Sequence, residues 1–419
     1  WTGFVLSSSN GLEKYPKLRF KGFSEPWKTD TLGNLGTFIK GAPLSKADIT
    51  DEGTPFVLYG ELYTTYGEVT HSIKRRTDKV VEPQFYSKVG DVIMPTSGET
   101  PEDIATASCI MLPDVILAGD LLIYRTQKVD GRLVSFVVKN KVNKQISSVA
   151  QGKSVVHVRA EELSKIAISY PSDAEQHKIL TMLELLEDKM SKQRELIEHL
   201  KKYKRGVSEQ LFEQIKSKST QHVFSSIFVL LQNNTFSREL LTNEETEMQN
   251  IHYGDVLIKY GSCVDIDKED VPYIKSDAPV DKFAPESYLM SGDIVIADTA
   301  EDYTVGKATE IINPNNKKIL SGLHTIPCRP VMSFAPMFMG YYLNSSSFRS
   351  QIMPLIQGTK VSSIGKTQLM KTTVYIPPVD EQKRIADFLY SIDTKINLLS
   401  ETADKMIQLK SAMLQQLFI

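Results

Sequence analysis

The chain has 419 residues, 41% of them hydrophobic and 24% charged, with a formal net charge of −2. That length suggests roughly two to four domains with ample core, and the composition is that of an ordinary globular protein. The overall charge by itself argues against a nucleic-acid binder, a reading that the distribution of charge reverses, and no run approaches the roughly 18 apolar residues of a membrane-spanning helix; Phe224 to Leu231 comes nearest.

Residues 1–14 lack an initiator Met and the basic start and long apolar core of a signal peptide. They are expected to form a disordered or non-native arm. Residues 15–170 read as a mixed α/β domain, with strands expected at Thr54 to Tyr59, Asp91 to Pro95, Asp120 to Arg125 and Leu133 to Lys139. Between Leu121 and Ala160 stand eight basic residues, opposed only by Asp130. From Asp173 to about Lys216 the chain is rich in Glu, Lys, Leu, Gln and Met, contains no Pro, and predicts one continuous helix within a segment 171–218. Residues 219–376 again read as mixed α/β, with strands expected at Asp255 to Tyr260, Asp293 to Asp298 and Thr372 to Pro377. Seven basic residues and no acidic ones lie between Ile311 and Lys371. Residues 377–419 predict a second long helix, and Pro171, Pro377 and Pro378 mark the two helix starts.

The second half repeats the first at an offset of 206 positions: Glu175-Gln176-His177-Lys178-Ile179 returns as Glu381-Gln382-Lys383-Arg384-Ile385, and Glu209-Gln210-Leu211-Phe212 as Gln415-Gln416-Leu417-Phe418. Upstream, Gln151-Gly152 matches Gln357-Gly358, and Gly90-Asp91-Val92-Ile93 resembles Gly292-Asp293-Ile294-Val295 at a different offset, as loops of changing length would produce. Both helices carry heptads. The seam holds Leu183, Leu186, Met190, Ile197 and Leu200 in the first, and Leu389, Ile392, Ile396, Leu399 and Met406 in the second, with Lys204 and Lys410 at the same a position. Such helices most simply pack on each other, antiparallel, as a rod of ~60 Å from ~40 residues. They could also join their own domain cores or dimerise the chain.

The chemistry of enzymes is missing. Gly365-Lys366-Thr367 lacks the upstream Gly of a phosphate-binding loop, since Lys360 stands in its place. Ile376-Pro377-Pro378-Val379 resembles the catalytic loop of amino-methylating enzymes but lacks the Asn or Asp that grips the amine and the closing aromatic. No Cys or His spacing suggests a metal, and Cys109, Cys263 and Cys328 are few, odd in number and widely spaced, which fits a reducing cytoplasm. The two basic stretches at matching places instead point to phosphate contact.

These features together resemble the DNA specificity subunit of type I restriction–modification systems. The resemblance covers about residues 15–419 and rests on two variable domains alternating with two long helices, on the Pro-to-Glu-Gln helix entries, on the Gly-rich turns that close each domain, and on Pro16-Lys17-Leu18-Arg19-Phe20 followed by Trp27. It implies an α+β fold: two globular mixed α/β target recognition domains joined by two long antiparallel coiled-coil helices, in a pseudo-two-fold internal repeat. It also implies a non-catalytic, cytoplasmic subunit that reads a split double-stranded DNA site and docks adenine methyltransferase subunits and restriction/motor subunits. S-adenosylmethionine, ATP and Mg would sit on those partners, with no cofactor or metal on this chain and no membrane. The expected DNA-contacting residues are Lys74, Arg75, Arg76, Ser97, Arg125, Lys128, Lys153, Ser154, Thr299, Arg329, Thr359 and Lys360, with Arg125 and Arg329 preferred. The rival reading is a two-headed scaffold for protein or glycan ligands.

Overall fold

The computed structural model describes residues 4–6, 15–152, 155–280, 282–358 and 360–419. The chain divides into two compact units, one of residues 1–193 with 402–419 and the other of residues 194–401. Each unit therefore takes part of both long helices, which run Asp173–Ile215 and Val379–Leu417.

The first unit is built on a five-stranded sheet in the order Gly36–Lys40, Leu121–Thr126, Asp91–Pro95, Ser108–Ile110, Val69–Thr70, antiparallel except for the last pair. A three-stranded sheet of Ile116–Ala118, Thr54–Leu58 and Arg76–Thr77 adjoins it. The second unit repeats the arrangement with Phe228–Leu230, Thr325–Pro330, Ile294–Ala297, Ala308–Ile312 and Cys263–Asp265, again parallel only at the last pair. In each unit a two-stranded ribbon ties the start of the globular part to its end: Lys28–Thr31 with Ala167–Tyr170, and Thr220–Val223 with Thr373–Ile376. The chain leaves each ribbon through a proline and enters a long helix.

Two segments expected to be strands are helical. Leu133 to Lys139 lies in the helix Gly131–Asn140, and Asp255 to Tyr260 overlaps the helix Tyr253–Ile258. The helix Gly131–Asn140 is buried on most sides, so its pattern does not differ from that of a buried strand, and the helix Tyr253–Ile258 is too short to show a period. The deciding signals are local caps. The Asp130 side chain accepts from the Arg132 N–H, and the His252 side chain accepts from the Gly254 N–H. At the other end of the chain, Phe4–Leu6 forms a strand antiparallel to Leu18–Phe20, so this part of the expected disordered arm is ordered; residues 1–3 and 7–14 lie outside the described residues.

Within the first unit Ile179, Leu180 and Leu183 of the first long helix share one core with Met413, Leu414, Leu417 and Phe418 of the second. Within the second unit Phe212 and Ile215 share a core with Ile385, Ala386 and Leu389. Further along, Glu187 pairs with Lys410 in the first unit and Lys204 with Asp393 in the second, so rising numbers on one helix meet falling numbers on the other and the paired segments are antiparallel in each unit. The ten seam residues named from the heptads are all withdrawn from solvent: Leu186, Leu200 and Leu399 are half-buried and the other seven are buried.

The helix entries are held by a buried glutamine in each unit. Gln176 Oε1 accepts from the Asp130 N–H (3.0 Å), and its Nε2 donates to the Pro171 carbonyl (3.0 Å). Gln382 makes the same two bonds with the Ala335 N–H and the Pro377 carbonyl, each 2.9 Å. Both side chains are nearly sealed from solvent, so their amides satisfy backbone groups that would otherwise be buried without partners.

Candidate nucleic-acid interface

The central strand of each main sheet runs into a short ribbon at the same place. In the first unit Asp91–Pro95 leads to Ser97–Gly98, which pairs antiparallel with Val156–His157. In the second, Ile294–Ala297 leads to Thr299–Ala300, which pairs with Ser362–Ser363. The returning strand is one arm of a hairpin closed by reciprocal backbone bonds, Gln151 with His157 and Gln357 with Ser363. Each hairpin turns at a glycine with positive φ, +140° at Gly152 and +104° at Gly358, and a Cβ at either would stand 2.0 Å from the carbonyl oxygen of Val155 or Val361. Only glycine fits there. The tips project apolar side chains into solvent, with Val155 47% and Val361 51% exposed, and Lys360 is exposed beside Val361.

The groups around the ribbons differ between the units. In the first, Ser97 Oγ donates to Asp120 (3.3 Å) and Tyr63 Oη donates to the Ser97 carbonyl (2.6 Å). Asp120 also lines a cavity of about 650 Å³ with Lys46, Tyr59, Glu61 and Arg75. In the second unit Thr299 Oγ1 donates to Asp298 (2.8 Å) and lies 3.3 Å from His324 Nδ1, and the His324 ring meets the Tyr253 ring edge to face at 5.3 Å. Equivalent frames thus carry an acid and a tyrosine in the first unit, and an acid, an imidazole and a tyrosine in the second.

The residues expected at the DNA fall into four groups. Lys74, Arg76, Lys128 and Lys360 are exposed. Arg76 donates to the Gly53 carbonyl and Lys128 to the Asn34 carbonyl, each through part of its donor capacity. Thr299 is half-buried, and Arg75 is half-buried in a pair with Glu61 at 3.0 Å. Lys153, Ser154 and Thr359 lie outside the described residues.

Ser97 and the two preferred arginines are engaged by partners within their own units. Ser97 is buried and its hydroxyl is engaged by Asp120. Arg125 donates through Nε to Asp91 (3.2 Å) and through Nη2 to the carbonyls of Gln84 and Tyr86. Arg329 repeats this with Asp293 (3.0 Å) and the carbonyls of Glu286 and Tyr288. Their side chains are only 18% and 20% exposed, over carboxylates that are almost sealed. A guanidinium whose fork is filled by a buried carboxylate and backbone carbonyls is a clamp that ties a loop to the sheet. Burial pushes the Asp91 carboxyl above its ordinary range, against the Lys88 N–H and Arg125, which pull it down. The repeat itself held the missing signal: Asp91 and Asp293, like Arg125 and Arg329, occupy matching places, as a shared structural pair would.

No group of three or more His, Cys, Asp or Glu residues suited to a metal occurs among the described residues. No helix among them is long and apolar enough to cross a membrane.

Comparison with known proteins agrees with the two-fold plan. Residues 24–202 and 245–408 match the family model of the type I restriction modification DNA specificity domain. The putative type I restriction enzyme MjaX specificity subunit of Methanocaldococcus jannaschii is 26% identical over 164 residues, 39% of this chain but only 35% of that protein. The type I restriction enzyme MjaVIII specificity subunit of the same organism is 21% identical over 97% of this chain and 95% of that one. Among solved structures, the type I restriction–modification S subunit from M. genitalium superposes with a TM-score of 0.60 at 15% identity, covering 96% of this chain and 99% of that chain. A chain from a study of complex assembly and conformational transition of the type I R-M system gives 0.53 at 16% identity, covering 93% and 97%. These matches do not favour a scaffold for protein or glycan ligands. The chain belongs to the type I restriction–modification DNA specificity family and carries its domain twice.

Proposed function

We propose that each globular part, residues 15–170 and 219–376, reads one half of a bipartite DNA site. The observation that carries this is the matched pair of glycine-turned hairpins, set beside ribbons whose polar groups differ between the units. A common frame with different side chains suits two half-sites of different sequence. Exposed basic groups such as Lys74, Arg76, Lys128 and Lys360 hold the phosphates, which fixes register without reading sequence, while groups such as Tyr63 and His324 face base edges. The helical segments 171–218 and 377–419 set the unread spacer. Half-sites on one face of a duplex need a separation near one helical turn.

In this reading the chain is non-catalytic and cytoplasmic. It docks methyltransferase subunits, which hold S-adenosylmethionine and modify adenine, and restriction/motor subunits, which hold ATP and Mg. The chain's own task is to place them on DNA. The test is a reconstitution with an adenine methyltransferase subunit of a type I system. Adenine methylation of a duplex library should require this chain and follow a bipartite motif. Methylation without it, or without sequence preference, would reject the reading.

A further inference from the structure

The two units differ sharply at one matched place behind the main sheet. In the first unit Glu68 precedes the edge strand Val69–Thr70, and its carbonyl accepts the Cys109 N–H. In the second, Ser262 precedes Cys263–Asp265, and its carbonyl accepts the Glu310 N–H. Glu68 and Ser262 are therefore equivalent by register. Around Glu68 stand Lys139 at 3.5 Å and Lys410 at 3.2 Å, and Lys410 also pairs with Glu187. Burial disfavours the charged form of Glu68, but Lys139 and Lys410 outweigh it and hold its pKa below the ordinary value.

The second unit keeps half of this arrangement. Lys204 pairs with Asp393 at 2.6 Å, as Lys410 does with Glu187, and it lies over the Tyr341 ring as Lys410 lies over that of Phe136. The carboxylate of Glu68 has no counterpart, since Ser262 replaces it. Its place opens into a cleft of about 580 Å³ lined by Lys204, Ser262, Lys307, Asn344 and Arg349. Lys307 Nζ donates to the Leu257 carbonyl, and Arg349 Nη2 donates to the carbonyls of Tyr303 and Val305. Neither cation forms a salt bridge among the described residues. Asp302 lines the same cleft, with its carboxylate held by the N–H and hydroxyl of Thr304. Burial, reinforced by Lys204, lowers the pKa of Lys307; burial also lowers that of Arg349, against the opposing attraction of the Asp302 carboxylate. Asp302 partly offsets Arg349, but Lys307 is withdrawn from water with no facing carboxylate, and such a cation favours an anion that supplies the counter-charge.

We propose that this cleft binds a phosphate group, which takes the place of the carboxylate that the first unit supplies from its own chain. Lys307 and Arg349 provide the charge and the spare donors, and the Ser262 hydroxyl provides a neutral one. The phosphate is either a free ion or part of a DNA backbone, and the chemistry of the cleft is the same for both.

Thermal unfolding and isothermal titration of the full chain with inorganic phosphate, against chloride at equal ionic strength, test this. The unfolding midpoint should rise with phosphate and saturate. Lys307→Gln should weaken phosphate binding by about tenfold or more, the loss of one charge-assisted contact. Ser262→Glu rebuilds the in-chain carboxylate; it should keep or raise the midpoint without phosphate and abolish the phosphate response. A duplex that competes with phosphate in the unaltered chain but not in Ser262→Glu identifies DNA as the source. Absence of competition identifies the free ion. No saturable response in the unaltered chain, or the same response in Ser262→Glu and Lys307→Gln, would overturn the proposal.

Discussion

The N-terminal anchors of the two long helices begin with the same two residues and are finished differently. Glu175 is sealed beneath Arg19, which donates to both of its carboxylate oxygens at 2.9 and 2.8 Å, and Trp27 meets Phe418 nearby at 6.4 Å between ring centroids. Its repeat, Glu381, pairs instead with Arg384 one helical turn along, and the Arg384 side chain is 62% exposed. The adjacent glutamines, Gln176 and Gln382, make identical bonds. The repeat thus conserves what the backbone demands and varies what the neighbouring chain supplies. Only the first unit has the strand Leu18–Phe20 to cover its glutamate. The same lesson holds at Glu68 and Ser262, where an internal charge in one unit becomes an open cleft in the other.

The largest contrast should appear when the two glutamates are stripped of their partners. Arg19→Ala leaves a buried carboxylate unpaired and should cost about 3–5 kcal/mol in urea unfolding. Arg384→Ala removes an exposed pair and should change stability little, by about 0.5 kcal/mol or less. Equal losses would show that the two anchors are not different after all.

Next come the matched clamps. Arg125→Ala and Arg329→Ala should each destabilise by about 3 kcal/mol, because Asp91 and Asp293 stay buried without a counter-charge. Under conditions where the variants remain folded, DNA affinity measured by gel shift should be nearly unchanged. A large loss of affinity with intact stability would return these arginines to the DNA surface. Gln176→Ala and Gln382→Ala should then cost about 1–3 kcal/mol each, since two buried backbone groups lose their partners.

A pH difference should also separate the units. Glu310 is pushed up to about 7 by burial, although the N–H groups of Met337 and Gly340 oppose the shift. Its matched position in the first unit is Cys109, by the same strand register. A folded-state pKa above the unfolded one means that the folded form holds a proton which the unfolded form releases. The associated stability is complete below about 4.5 and is lost as pH rises through about 7. Unfolding monitored between pH 5 and 8 should show a decline of at most about 1.4 kcal/mol per pH unit that Glu310→Gln removes. The smallest effect is expected at the hairpin tip. Lys360→Ala should weaken DNA binding modestly, lower the salt slope by about one, and leave sequence preference alone.

Much of the plan was legible because the repeat is long and the heptads are regular. The strands Asp91–Pro95 and Leu121–Thr126 and both long helices lie within two residues of where their patterns place them. The helix Gly131–Asn140 was not legible because burial on most sides erases the period that separates helix from strand, and Tyr253–Ile258 because six residues are too few to show one. The clamps were missed for a related reason. Arg125 sits in a basic stretch of sequence, but its partner Asp91 lies 34 residues away, so a linear count of charges cannot see the pair. Clustered Lys and Arg mark a surface only when folding leaves them on one.

The most direct test of the proposed two reading heads is the adenine methylation map of cells expressing this chain with a type I methyltransferase subunit, before and after residues 219–376 are replaced by the matching segment of the MjaVIII specificity subunit. The methylated motif should have two specified parts around an unspecified spacer, and the exchange should change one part while keeping the other and the spacer. A contiguous motif, or an exchange that alters both specified parts together, would contradict the account.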